Sequence, residues 1–167
     1  DESDPIIEDL EVSLIALREE LHVRAENSGS IVGPVVFGDD GDRVDCAKLG
    51  KGGYSVPSIV EPEYLEIRRC TADFLLLVEK GTQWNRLSED KFWRRYNCVL
   101  LTGNGQPPRG VRRLARRLHE EHKLPVYVLV DNDPWGYYIY SVVKQGSINL
   151  AFESQRMAIP KAKFIGL

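Results

Sequence analysis

PVYVLVDNDPWGYYIYSVVK, residues 125–144, decides how the rest of the chain is read. Its first part, PVYVLVD (125–131), is a nearly continuous apolar run rich in valine, the pattern of a strand covered on both faces. The run ends in Asp131 and Asp133, and Pro134 then opens a helical stretch that reaches Lys144. Two carboxylates that close repel each other unless a cation lies between them. The question is which cation, and what it acts on.

The same alternation fills the second half of the chain. FLLLVEK (74–80), CVLLTG (98–103) and AKFIGL (162–167) are further apolar runs of strand length. SEDKFWRRY (88–96), with Ser88 as a cap, and Arg109–His122 read as helices between them. Short apolar strands separated by helices predict an α/β fold over 73–167, a parallel sheet flanked by helices. Residues 1–29 read as a leading helix: Asp4 caps it, Pro5 starts it, and Ile7, Leu10, Leu14, Leu17 and Leu21 form one stripe that ends near Asn27 and Gly29. In 30–72, IVGPVVF (31–37) and RVDCAKL (43–49) predict a β-hairpin around GDDGD, and GKGGYSVPSIVEPEY (50–64) an extended loop.

Bulk properties narrow the setting. A chain of 167 residues, 43% hydrophobic and 28% charged, is sized for one domain with a real core. No apolar run approaches the ~20 residues of a membrane span. DESDPIIEDLEV lacks the charged-then-apolar order of a signal peptide. Cys46, Cys70 and Cys98 are odd in number and contain no CxxC, so reduced core thiols and a cytoplasmic setting are expected. The net charge of −3 is uneven: residues 1–27 hold nine acids and two bases, and the remainder is mildly basic.

In parallel sheets, ligands bind outside the carboxyl ends of the strands. Those ends carry Glu79, the loop GNGQPPRG (103–110), and Asp131 with Asp133. Convergence of the three would make an oxygen-only site for Mg²⁺, or Mn²⁺ in its place, and no histidine or cysteine lies in these strand-end motifs to favour zinc. Each piece alone is weak. A glutamate after a strand is usually a solvated end. GNGQPPRG is neither a Walker loop nor GxGxxG. An EF-hand loop fits Asp131, Asp133 and Gly136 but fails at Val142 and at Pro134.

Arg109, Arg112, Arg113, Arg116 and Arg117 recur at i, i+3, i+4, i+7 and i+8, opposite Val111, Leu114, Ala115 and Leu118. A solvated surface face is the competing reading. A face of one sign only, built of a side chain that grips phosphate with two donors, favours nucleic-acid backbone. The aromatics Trp135, Tyr137, Tyr138 and Tyr140 are expected to pack the following helix on the sheet rather than stack on bases, with Tyr137 the one open to exposure.

One Glu followed two strands later by DxD resembles the Toprim domain of topoisomerases, primases and certain nucleases. VEKGTQWNRL (78–87), GNGQPPRGVRRL (103–114) and VLVDNDPWGYYIYSVVKQGSINLAFES (128–154) resemble the archaeal DNA topoisomerase VI A-subunit family, relatives of the eukaryotic meiotic double-strand-break protein. The resemblance extends through the leading helix and GGYSVPSIVEP (52–62). It implies a Rossmann-like Toprim sheet with an N-terminal helix and hairpin, and Mg²⁺ on Glu79 and Asp131 as main ligands, with Asp133 supporting them or holding a second ion. Glu79 is then also a general acid or base. Lys80, Arg109, Arg112, Arg113 and Arg116 are the expected DNA contacts. The implied reaction is tyrosine transesterification on duplex DNA by a homodimer of A subunits, with an ATPase B subunit, in an A2B2 assembly associated with the nucleoid. The family's nucleophilic tyrosine lies in a winged-helix domain that precedes the Toprim domain. None of the seven tyrosines here falls in that motif, so an isolated domain or fragment is expected, one that holds metal without cleaving DNA by itself.

Three other readings differ in what they predict. A Toprim nuclease or primase-like domain would act alone with Mg²⁺. A dimerisation scaffold would hold a structural ion only. Haloacid-dehalogenase phosphatases place DxD on the first strand, whereas here it follows Glu79.

Overall fold

The computed structural model describes residues 3–16, 20–23, 25–146 and 151–167. The elements in chain order are α1 (Ser3–Leu14), β1 (Ser30–Val32), β2 (Val35–Asp39), β3 (Asp42–Asp45), β4 (Tyr54–Ser55), β5 (Leu65–Cys70), β6 (Phe74–Val78), α2 (Gly81–Glu89), α3 (Phe92–Arg95), β7 (Cys98–Thr102), α4 (Arg109–His122), β8 (Val126–Val130), α5 (Pro134–Gln145), α6 (Ala151–Met157) and β9 (Lys163–Gly166). The main sheet runs β4-β1-β7-β6-β8-β9. Its strands β7, β6, β8 and β9 are mutually parallel, and β1 joins antiparallel to β7. A smaller antiparallel sheet runs β3-β2-β5.

The apolar runs make sense because the main sheet is covered on both sides. Leu75, Leu77, Val99, Leu101, Val126, Val128 and Val130 face α4 and α5, while Leu76, Val78, Cys98 and Leu100 face Trp84 of α2 and Trp93 of α3. Burying each such side chain contributes about 2 kcal/mol relative to exposure. The chain crosses from β6 to β7 under one face, then returns past β6 to β8 under the other. Right-handed crossovers in opposite directions place their helices on opposite faces. That reversal puts the topological switch point at β6, between β7 and β8.

Before β7 the structure departs from expectation. The apolar run 31–37 is not one strand. Gly33 and Pro34 break it, so β1 joins the main sheet and β2 the small one. Gly33 sits at φ 138°, and a Cβ there would lie 2.6 Å from the Cys98 carbonyl oxygen. β5 is an addition to the expected pattern, although LEIRRC is an alternating strand along one edge of the small sheet. The helix expected over 88–96 is divided: α2 ends at Glu89 and α3 covers Phe92–Arg95, while Ser88 is buried inside α2 and its hydroxyl donates to the Lys51 carbonyl at 3.0 Å.

The leading helix ends at Leu14 rather than near Asn27, and Ile15 has φ 52°. Leu10 and Leu14 are exposed, whereas Glu11 is fully buried and anchors α1 through an ion pair with Arg109. A buried carboxylate needs its partner more than a leucine needs cover. Leu17 and the capping side chain of Asp4 lie outside the described residues.

Candidate metal centre

β6 and β8 are adjacent and in register, with Val78 beside Leu129. Their carboxyl ends therefore emerge together. The Glu79 N–H donates to the Leu129 carbonyl at 3.0 Å, and the Asp131 N–H donates back to Glu79 Oε2 at 3.3 Å. The Gly105 N–H donates to the Glu79 carbonyl at 2.8 Å, which draws the 103–108 loop to the same edge. Glu79, Asp131 and the glycine-rich loop thus meet at the switch point. Both carboxylates are half-buried.

Asp133 does different work. Its Oδ1 accepts from the Gly136 N–H at 2.7 Å and caps α5, with Pro134 in the first turn. A carboxylate at a helix N-terminus is favoured by both the capping bond and the macrodipole. Sequence reading gave Gly136 no part in this site; its signal is its place three residues after the second aspartate. A Cβ there would lie 2.0 Å from the Asp131 carbonyl oxygen, so only glycine lets α5 close on the aspartate turn.

The cation at this edge is a lysine. Lys80 Nζ pairs with Asp131 Oδ2, and the two side chains are about half and one-third exposed. The hydrogen bond to Asp131, and then the charges of Asp131, Glu79 and Asp133, outweigh desolvation and hold the ammonium above its ordinary pKa. Only Asp131 touches the ammonium; Glu79 and Asp133 act on it through their charge alone. Among the described residues, no three His, Cys, Asp or Glu side chains cluster tightly enough to form a complete ligand set. Two carboxylates suffice for Mg²⁺, which keeps waters and takes further ligands from phosphate. The donors are oxygens and the position already attracts a cation, so Glu79 and Asp131 fit a hard divalent ion. Asp133 stands beside them, committed through Oδ1 to its cap.

The arginine stripe is not the free cationic face that the spacing predicts. Arg109 forms a two-donor pair with Glu11, at 3.0 and 3.2 Å. Arg113 grips Glu61 at 2.8 and 3.0 Å, and Arg156 joins the same carboxylate. Arg116 donates to the Ala158 carbonyl and pairs with Glu120. Arg117, only 3% exposed, donates to the carbonyls of Val60 and Leu65 at 2.6 Å each and pairs with Glu121. Arg112 is 8% exposed; burial, and then the charge of Arg109, push its pKa down to about 10. α4 is covered on both faces, and a periodic pattern cannot tell a solvated stripe from one satisfied by distant acids and carbonyls.

The aromatics of α5 divide. Tyr140 packs inward, its hydroxyl donating to the Ala162 carbonyl at 2.9 Å. Trp135, Tyr137 and Tyr138 are about half exposed, which the sequence allows for Tyr137 but not for Trp135 and Tyr138. Trp135 stacks on Tyr138, and Tyr137 stacks on Phe164 while its hydroxyl donates to Asn132 at 2.9 Å. No helix among the described residues is long and apolar enough to cross a membrane.

Comparison with known proteins agrees with this architecture. Residues 74–167 match the family model for the Toprim domain of the topoisomerase 6 A subunit and Spo11, and residues 25–71 match the all-beta domain in DNA topoisomerase VI alpha subunit. The chain is 48% identical to the A subunit of type 2 DNA topoisomerase 6 from Pyrococcus abyssi over 166 residues, 99% of this chain and 43% of that protein. The corresponding protein of Aeropyrum pernix is 46% identical, and the DNA topoisomerase 6 A subunit of Arabidopsis thaliana is 38% identical, covering 42% and 38% of their lengths. The chain thus spans well under half the length of the curated relatives it matches. The Toprim match covers the parallel strands β6 to β9 and the all-beta match covers β1 to β5: the chain belongs to the family of the topoisomerase 6 A subunit and Spo11.

Proposed function

We propose that this chain is the metal-binding Toprim part of the DNA cleavage and religation subunit of an ATP-dependent type IIB topoisomerase. The observation that carries the reading is the meeting of Glu79 and Asp131 at the ends of β6 and β8, 3.3 Å apart through the Asp131 N–H. The names of the relatives support the reaction class.

In the proposed reaction a tyrosine hydroxyl attacks a phosphodiester of duplex DNA. The tyrosine oxygen–phosphorus bond forms, the bond to the 3′ oxygen breaks, and that oxygen takes up a proton. A Mg²⁺ held by Glu79 and Asp131 would supply charge stabilisation at the phosphate. The Asp131 N–H orients Glu79 Oε2, and in this reading that carboxyl exchanges the proton with the 3′ oxygen. Asp133 holds the N-terminus of α5 against the site. We take the attacking tyrosine from outside residues 1–167, because none of the seven tyrosines falls in the family's nucleophile motif, and Tyr137 and Tyr138 beside the acid pair are held in ring stacks with Phe164 and Trp135. A second copy of this chain's parent protein and an ATPase B subunit complete the proposed assembly. Tyr137→Phe in the intact two-component enzyme leaves the covalent DNA adduct in place, as seen by denaturing gel.

Calorimetric titration tests the reading. Mn²⁺ and Mg²⁺ are expected to bind the native chain, and Glu79→Ala and Asp131→Ala to lose that binding while circular dichroism stays native. Equal binding by all three proteins would show that the acid pair is not the site.

A further inference from the structure

We propose that Lys80 is the built-in counter-cation of this site: it holds Asp131 while no divalent ion is bound, and metal entry displaces it toward the phosphate of an anionic ligand. This rests on the metal reading above and adds a competitor and a recipient to it.

Three observations carry it. The first is the contact itself, because Lys80 Nζ sits on Asp131 Oδ2, one of the two oxygens this carboxylate can offer a metal. One carboxylate oxygen cannot hold an ammonium and a divalent ion at full strength together, so the two compete.

The second is where the lysine stands. Lys80 occupies the N-cap of α2, with φ −80° and ψ 119°, and makes no side-chain cap bond. Ser, Thr, Asn, Asp and Gly are favoured there, and a positive charge opposes the helix dipole. A residue placed against its local preference, yet paired across to the next strand but one in sequence, marks a functional demand.

The third is reach. Lys80 is exposed, and the Asp131 side chain is one-third exposed, so the ammonium can leave without a buried charge being stranded. The N–H groups of the first turn of α2 face the same edge, and they favour an anion there. A released ammonium next to them completes a phosphate contact.

The test is Mn²⁺ titration into the native chain, Lys80→Met, Lys80→Arg and Lys161→Met. Lys161 is an exposed lysine before β9, at the opposite end of the strands, and controls for net charge. Lys80→Met is expected to bind Mn²⁺ about two- to fivefold more tightly than Lys161→Met, the range set by loss of a half-exposed ion pair. Lys80→Arg, which keeps the pair with a two-donor group, is expected to show no such gain. With saturating Mg²⁺, a short duplex is expected to bind Lys80→Met more weakly than the native chain, and without Mg²⁺ this difference disappears.

If the native chain binds Mn²⁺ and Lys80→Met only matches Lys161→Met, the metal site stands and the counter-cation role falls. If neither the native chain nor Lys80→Met takes up Mn²⁺, both fall together. A duplex that binds the native chain and Lys80→Met alike in Mg²⁺ overturns the hand-over to phosphate.

Discussion

Asp133 shows how one residue can be legible in type and hidden in role. Its spacing from Asp131 marked it as a ligand, and its geometry makes it the cap of α5. The two roles separate by substitution. Asp133→Ala is expected to cost about 1 kcal/mol in urea unfolding through the lost cap, and Asp133→Ser to retain most of that stability. If Asp133→Ser also keeps Mn²⁺ affinity, the cap is its whole contribution. Gly136→Ala is more severe, because the added Cβ would lie 2.0 Å from the Asp131 carbonyl oxygen. It is expected to abolish metal binding by moving Asp131, without touching either carboxylate.

α4 is the element whose chemistry changes most between sequence and structure. Its arginines staple the helix to the 57–65 segment and to α6. Gly110 permits the close approach, since a Cβ there would lie 2.4 Å from the Pro57 carbonyl oxygen. Arg117→Leu strands the carbonyls of Val60 and Leu65 and is expected to cost about 2–4 kcal/mol, read as a lower urea midpoint. A role in DNA contact alone would leave that midpoint unchanged.

Glu61 gives the same element a pH signature. Burial opposes its ionisation, but the Arg113 hydrogen bond and the charges of Arg113, Arg156 and Arg117 outweigh it and hold the carboxyl below its ordinary 4.5. A depressed folded value stabilises the fold above the unfolded value, and the stabilisation is lost as pH falls through the folded one. Stability is therefore expected to drop below about pH 4.5, and Glu61→Gln to flatten that acid limb while lowering stability at neutral pH.

At the scale of the whole molecule, the two sheets share one core. Val35, Phe37 and Cys46 of the small-sheet region pack in the same cluster as Leu75, Leu114 and Val128. Burial pushes the thiols of Cys46 and Cys98 up to about 12, so neither is reactive in the folded state. One shared core predicts one opening event. Thiol labelling is expected to modify Cys46 and Cys98 at the same rate across a urea series, and earlier labelling of Cys46 would mean that the small sheet opens by itself.

The sequence by itself determined the alternation of strand and helix from residue 74 onward, because strands buried on both faces must be apolar throughout and their lengths are short. It also placed Glu79 and Asp131 at strand ends, where parallel topology brings them together. Only the tertiary structure decided what the polar residues do. Arg109, Arg113 and Arg117 find acids and carbonyls that lie 43 to 98 positions away in the chain, or one turn along the helix, and no local pattern encodes those partners. Lys80 likewise meets Asp131 across 51 positions, and Gly33 divides one apolar run between two sheets. Periodicity reports which way a side chain points from its own element; what waits there is set by the fold.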